Sequence, residues 1–98
     1  MSLSTKLVRL SDIEKTNIKL RLHSAAQRKK AIRIFESQGI LVPIVLDEQL
    51  NILDGNLRFE IAQELGWKSL NSVILRGLSD VQKKELSLSL NRLNEDSK

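Results

Sequence analysis

The chain has 98 residues, of which 41% are hydrophobic, and a formal net charge of +4 at pH 7. A chain of this length has room for one small domain, so we expect residues 1–98 to fold as a single unit. The absence of cysteine excludes disulfides, thiol catalysis and cysteine-ligated zinc. No apolar run approaches the ~20 residues of a membrane span, and the N-terminus lacks the apolar segment of a signal peptide. We therefore expect a cytoplasmic protein without a membrane partner.

The first part of the chain predicts one strand and one helix. Residues 7–10 are branched enough for a strand, and residues 11–14 follow as a capped turn. Ser24 with Gln27 forms a capping box, which predicts a helix that begins there and ends at Gly39. The candidate DNA-binding residues lie on this helix and are Arg28, Lys29, Lys30 and Arg33.

The basic helix favours a polyanionic partner, and DNA is one candidate. Lysine and arginine neutralise backbone phosphates without reading the base sequence. An alternative is an ordinary solvated helix face, because the chain has only two phenylalanines, one tryptophan and no tyrosine for stacking on bases. Charge alone does not distinguish DNA from a nucleotide.

The centre of the chain predicts two short strands followed by a glycine turn and a helix. The strands lie at 42–46 and 51–53, and a polar turn at 47–49 joins them. Asp54 and Gly55 form a turn signal, and the apolar residues after them fall at helical spacing as far as Gly66. The pattern therefore predicts a helix that begins near Asn56.

This predicted helix start is arranged to hold a phosphate. Its first backbone N–H groups lack intrahelical partners and lie at the positive end of the helix dipole. Arg58 adds a guanidinium fork in the first turn. Gly55, Asn56 and Arg58 are thus candidate phosphate-binding residues. The alternative is that Gly55 only permits a tight turn and that Arg58 is a solvated helix residue.

The last part of the chain predicts a strand at 72–76 and a final helix. Gly77 ends the strand, and Ser79 with Gln82 repeats the capping box. Leucines at i, i+4 and i+7 spacing follow, and Leu88 lies off their stripe and is expected to be exposed. Together the elements predict an α+β domain in which helices pack against a small mixed β-sheet.

The order of these motifs resembles the N-terminal domain of the ParB family, which shares a fold with sulfiredoxin. The matching segments are 38–45, 55–62, 64–67, 73–75, 78–80 and 91–96. The resemblance is closest to versions from phage and mobile elements. It implies a ParB/sulfiredoxin-like fold, CTP and Mg as ligands, DNA as a partner, and a role in plasmid or chromosome partition or in mobile-element DNA transactions.

The resemblance also implies site residues outside the glycine turn. Arg21 and His23 match an Arg-x-His-Ser pattern that precedes the first helix, and both are candidate nucleotide-binding residues. The alternative for His23 is a hydrogen bond to the turn. In ParB proteins the asparagine of the closing motif helps to hold magnesium. This implies Asn91, together with Glu95, as metal-site residues.

Both ParB motifs are altered in this chain. ParB proteins usually have Gly-Glu-Arg-Arg where residues 55–58 are Gly-Asn-Leu-Arg, and Asn94 replaces the closing arginine. Fewer cations imply weaker nucleotide binding, a smaller anion, or a scaffold without the activity. Sulfiredoxin chemistry is excluded, because Asn56 occupies the position of the catalytic cysteine.

No catalytic constellation stands out from the sequence. A hydrolase needs a base with a nucleophile, or a metal cage, and His23 is the only histidine. If the chain is an enzyme, we expect a nuclease or nucleotidase in which Glu60 or Asp54 holds the metal. A third alternative is a ligand-free interaction domain that forms a homodimer or docks on a DNA-modifying system.

Overall fold

The computed structural model describes residues 2–14, 25–39 and 42–95. In the last helix it describes the side chains only as far as Leu90. The described elements are β1 (Ser2–Arg9), a short 3-10 turn (Leu10–Asp12), α1 (Ala25–Gln38), β2 (Ile44–Asp47), β3 (Ile52–Asp54), α2 (Asn56–Glu64), β4 (Ser69–Arg76) and α3 (Asp80–Glu95). Across these ranges, no helix combines the length and the apolar character that crossing a membrane requires.

The strands form one mixed sheet in the order β1-β4-β2-β3. β1 runs antiparallel to β4 along its whole length, from Ser2 opposite Arg76 to Arg9 opposite Ser69. β2 runs parallel to β4 and antiparallel to β3. A parallel pair needs a crossover, and the chain makes it through β3 and α2. The predicted α+β architecture with a mixed sheet is confirmed.

The main core lies between α2 and one face of the sheet. Its buried members are Val8, Ile13, Ile44, Leu46, Ile52, Phe59, Ala62, Leu70 and Ile74. Buried side chains alternate along β2 and β4, and this places the core residues of the two strands on the same sheet face. Trp67 packs against this cluster from the exit of α2.

The other two helices are less deeply packed than α2. α1 has no buried residue, and α3 has none among the side chains described, from Asp80 to Leu90. α1 contacts α2, whereas α3 packs against β3. Leu53 and Leu75 are buried but lie outside the main cluster, on the opposite sheet face, because each follows a core residue along its strand.

Two strands are longer than their sequence patterns predict. β1 begins at Ser2 rather than at residue 7, and β4 begins at Ser69 rather than at residue 72. The added residues are mostly polar, so their side chains give no periodic signal. They are extended because the two strands supply backbone partners for each other over eight residue pairs.

The predicted capping box at the start of α3 is confirmed. The Ser79 N–H donates to Gln82 Oε1 at 2.9 Å, and the Gln82 N–H donates to Ser79 Oγ at 3.1 Å. Leu88 is 45% exposed, as expected. The matching prediction at Ser24 lies outside the described residues, although α1 does end before Gly39, which has a φ of +80°.

The Ser79→Ala variant should lower the free energy of unfolding by about 1 kcal/mol, because it removes the hydroxyl that caps α3. Urea unfolding followed by circular dichroism measures this change. Ser89→Ala is the matched control, since Ser89 is exposed in the interior of the same helix and alanine is a better helix former. Equal loss of stability in the two variants would contradict the capping role.

Candidate functional site

Gly55 connects β3 to α2 through a conformation that requires glycine. Its φ is 111° and its ψ is 26°, in the left-handed region. A Cβ at this position would lie 2.5 Å from Ile44 Cγ2 and 3.0 Å from Arg58 Nη2. Ile44 is fully buried and has no room to retreat. The glycine is therefore needed both for the turn and for the close approach to β2.

α2 begins at Asn56, as the sequence predicts. The N-cap residue is Gly55, which makes no side-chain cap, and the first intrahelical bond runs from the Phe59 N–H to the Gly55 carbonyl at 2.9 Å. The N–H groups before Phe59 have no acceptor within the helix. Their donors and the helix dipole favour an anion at this end.

Arg58 is folded back against the start of β2. Its Nη2 donates to the Asp54 carboxylate at 3.1 Å and to the Pro43 carbonyl oxygen at 3.2 Å. The side chains of Arg58 and Asp54 are only 14% and 5% exposed. Arg58 is therefore not the solvated helix residue of the alternative interpretation.

One donor of Arg58 remains unused. Its Nε is buried and has no hydrogen-bond partner in the part of the chain that the structure describes. A buried N–H without an acceptor costs roughly 1–3 kcal/mol. A guanidinium whose buried Nε has no described partner thus lies in the first turn of α2, where the sequence predicts a phosphate-binding site.

The two candidate catalytic carboxylates are both paired with arginines. Glu60 accepts a hydrogen bond from Arg28 Nη1 at 3.1 Å, and Arg28 also pairs with Glu64. Asp54 is paired with Arg58. Within the described ranges, no group of three acidic or histidine side chains is placed to hold a metal. Catalysis by Glu60 or Asp54 stays a prediction.

The basic residues of α1 have two different environments. Arg28 is turned toward α2, where its ion pairs with Glu60 and Glu64 connect the two helices. The other three are exposed, and they lie within one helical turn on an arc of about 100°. These three, which we call the basic patch, are Lys29, Lys30 and Arg33.

Four predicted site residues have no described side chain. Arg21 and His23 lie outside the described residues. Asn91 and Glu95 are on α3, but their side chains lie beyond the last one described. Their roles toward the nucleotide and the metal stay predictions.

A polar cluster at the β2–β3 turn was missed in the sequence. Asp47, interpreted as part of a polar turn, is 2% exposed, and its carboxylate accepts the N–H groups of Gln49 and Asn51 at 2.9 Å each. Lys83 Nζ on α3 lies 3.1 Å from the same carboxylate. An aspartate that bonds the backbone two residues on is a local turn signal, but nothing local identifies Lys83.

Asp47 and Lys83 shift each other's titration in opposite directions. Burial raises the pKa of Asp47, but the Asn51 N–H and the Lys83 ammonium outweigh it, so the pKa lies below its ordinary value. The hydrogen bond to Asp47 raises the pKa of Lys83. The Asp47 contribution to stability is thus lost only as pH falls through the lowered pKa, and the Lys83 contribution only as pH rises through the raised one. The pair is charged across the neutral range.

Comparison with solved structures establishes the fold. The pNOB8-like ParB N-domain matches with a TM-score of 0.80 and 18% identity, over 99% of this chain and 37% of that chain. Truncated ParB from Caulobacter crescentus in complex with CTP-gamma-S matches with a TM-score of 0.75 and 16% identity, over 97% of this chain and 54% of that chain. The same truncated protein in complex with the centromeric parS site matches with a TM-score of 0.71 and 17% identity, over 93% of this chain and 49% of that chain. Sulfiredoxin from Arabidopsis thaliana matches at 0.65 with 21% identity, over 76% and 86%. No protein-family model and no curated protein sequence matches.

The chain is an α+β domain with the ParB/sulfiredoxin-like fold, as its resemblance implied. It spans between 37% and 54% of the ParB chains described above. A shared fold at this level of identity does not transfer a function. The likeness to phage and mobile-element versions stays a prediction.

Gly55→Ala should lower the free energy of unfolding by about 3 kcal/mol, because it adds a clash with Ile44 to the cost of a left-handed alanine. Gly66→Ala is the matched control. Gly66 also has a positive φ, of +78°, but a Cβ there would meet nothing within 4 Å. We expect a loss of about 1 kcal/mol in the control. Urea unfolding of both variants measures the difference, and equal losses would contradict the close packing of Gly55 on β2.

Proposed function

We propose that this chain is a ParB-type nucleotide- and DNA-associated module that binds CTP with Mg at the Gly55 turn. The observation that carries the proposal is Arg58, which combines a buried unused Nε with a position in the first turn of α2. The C. crescentus ParB complex with CTP-gamma-S, which has the same fold, supports the choice of ligand. The module would act in the cytoplasm, in plasmid or chromosome partition or in mobile-element DNA transactions.

In this proposal the phosphates lie at the start of α2. The N–H groups of the first turn, which have no acceptor within the helix, and the amide of Asn56 donate to phosphate oxygens, and the helix dipole adds roughly 0.3–1 kcal/mol. Arg58 approaches from the side of β2, with one Nη held by Asp54. Because this carboxylate offsets part of the guanidinium charge, we expect weaker binding than a fully free arginine would give.

The metal would be bound mainly through the nucleotide. Magnesium is commonly held by one or two protein oxygens together with substrate phosphates. Asn91 and Glu95 on α3 are the proposed protein ligands, and Arg21 and His23 are the proposed contacts to the rest of the nucleotide. This arrangement fits the absence of a three-ligand acidic cluster from the described residues.

Calorimetric titration with CTP and Mg, compared with ATP and Mg, tests the proposal. Arg58→Ala should weaken CTP binding by roughly 10- to 100-fold, the value of a charged hydrogen bond. Arg9→Ala is the control, because Arg9 is an exposed arginine paired only with Asp12 among the described contacts. We expect this variant to bind as the wild type does.

The variant Arg58→Lys is included because Arg58→Ala removes the cation beside the buried Asp54 carboxylate and could unfold the protein. It keeps a cation beside Asp54 but removes the planar fork, so CTP binding should still fall while the fold is retained. Failure of the wild type to bind CTP, or equal affinity in wild type and Arg58 variants, would contradict the proposal.

We further propose that the basic patch contacts DNA phosphates. The C. crescentus ParB complex with parS supports DNA as a partner, and the exposure of the patch leaves its charges available. Contacts of this kind give affinity without base specificity. Homodimerisation stays a prediction of the sequence.

Replacing Lys29, Lys30 and Arg33 together by glutamine should weaken duplex DNA binding and flatten its salt dependence. Each lost phosphate contact lowers the slope of log K against log salt by about 0.9. Fluorescence anisotropy of a labelled duplex at several salt concentrations measures both quantities. The control replaces the exposed residues Lys6, Lys68 and Lys84 and makes the same change in net charge. An equal effect in both triple variants would show that net charge, not the patch, controls binding.

A further inference from the structure

Three side chains join α3 to the β2–β3 turn, and we call them the turn clamp: Asp47, Glu48 and Lys83. Lys83 Nζ lies 3.1 Å from Asp47 Oδ2 and 3.4 Å from Glu48 Oε1. Asn51 supports the buried carboxylate of Asp47 through its backbone N–H and its side-chain amide. Because all three members are charged, their hydrogen bonds constrain the direction of α3 as well as its contact with the turn.

The clamp is an ionic attachment of α3 to the β2–β3 turn. The half-buried side chains of α3 form a stripe at i, i+3, i+4 and i+7 spacing, and they are Lys83, Leu86, Ser87 and Leu90. No described side chain of this helix is fully buried. The charge-assisted hydrogen bonds of Lys83 have a more specific geometry than apolar contacts of this depth.

The clamp also determines where α3 leaves the sheet. The Gly77 N–H, between β4 and α3, lies 3.5 Å from Glu48 Oε2. The capping box at Ser79 then starts the helix. The first turns of α3 are thus held at Gly77, at the cap and at Lys83.

Both halves of the proposed nucleotide site start from this clamp. In one direction β3, which is three residues long, leads from the turn to Asp54 and the Gly55 turn. In the other direction α3 leads from Lys83 to Asn91, a distance of about 12 Å at 1.5 Å per residue. The clamp thus joins the two segments that lead to the proposed phosphate site and to the proposed metal ligands.

We propose that Lys83 is a positioning residue for nucleotide binding. It holds α3 so that the end of the helix that carries Asn91 and Glu95 meets the metal of a nucleotide bound at the Gly55 turn. This inference rests on the proposed function. Lys83 itself touches no ligand in this arrangement. It acts through Asp47 and Glu48.

Lys83→Met and Lys84→Met form a matched pair for the test. They are neighbours on α3 with the same change in charge and shape, but Lys84 is exposed. Lys83→Met should weaken CTP binding in the presence of Mg by about tenfold, while CTP binding in EDTA changes much less. Lys84→Met should match the wild type in both conditions. Lys83→Arg keeps a cation at the clamp and should restore most of the Mg-dependent affinity.

Hydrogen exchange provides a readout that needs no ligand. In Lys83→Met, the amides of Gln49 and Asn51 and those of α3 should exchange faster, because the clamp no longer holds turn and helix together. The double variant Asp47→Asn/Lys83→Met removes both charges, and it keeps the test on a folded protein if the single variant is unstable.

The outcomes separate this inference from the proposed function. A wild type that binds no CTP overturns both. A wild type that binds CTP, with equal Mg-dependent affinity in Lys83→Met and Lys84→Met, overturns the positioning role alone. A loss in Lys83→Met of equal size with Mg and with EDTA also overturns it, because α3 would then act on the fold and not on the metal end of the site.

Discussion

The contact between Gly55 and Ile44 is the constraint on which the rest of this site depends. With no side chain at residue 55, the start of α2 lies directly against the first residue of β2, and Ile44 is completely buried beneath it. The same approach brings Arg58 within hydrogen-bond distance of the Pro43 carbonyl and of Asp54. One contact therefore closes the main core and also orients the only described cation of the proposed phosphate site.

The described carboxylates of α2 and of the residue before Gly55 that form ion pairs have arginine partners. Glu60 and Glu64 share Arg28, and Asp54 holds Arg58. The buried Nε of Arg58 nevertheless has no hydrogen-bond partner among the described residues, so within them the pairing with Asp54 orients the guanidinium without using all of its donors.

The parts of this fold that the sequence predicted correctly are those with local signals. The turn at Gly55, the start of α2 at Asn56 and the capping box at Ser79 each depend on residues within a few positions of one another. Their order along the chain was also enough to indicate the α+β class and the ParB/sulfiredoxin-like fold.

The parts that were missed depend on partners far away in the sequence. The polar first half of β1 is a strand only because β4 pairs with it, more than sixty residues later in the chain. Lys83 looks like any lysine of an amphipathic helix, and its partner Asp47 looks like any turn aspartate. The pairing of Arg58 with Asp54 has ordinary i, i+4 spacing, but its burial depends on Pro43 and the end of β2. Charge and spacing predicted a site, whereas the tertiary structure determined which of its described charges are already paired.

The two helices without described buried side chains carry the proposed DNA contacts and the proposed metal ligands. α1 presents the basic patch and is tied to α2 by Arg28, and α3 leads to Asn91 and Glu95 and is tied to the sheet by Lys83. Attachments made of part-exposed ion pairs and half-buried apolar side chains are weaker than core packing, and salt screens the Arg28 pairs. Local opening costs least where contacts are of this kind. In the proposed nucleotide site, a clamp that already holds α3 would lower the cost of ordering this helix on binding, so the ion pairs of Lys83 would contribute to affinity from a distance.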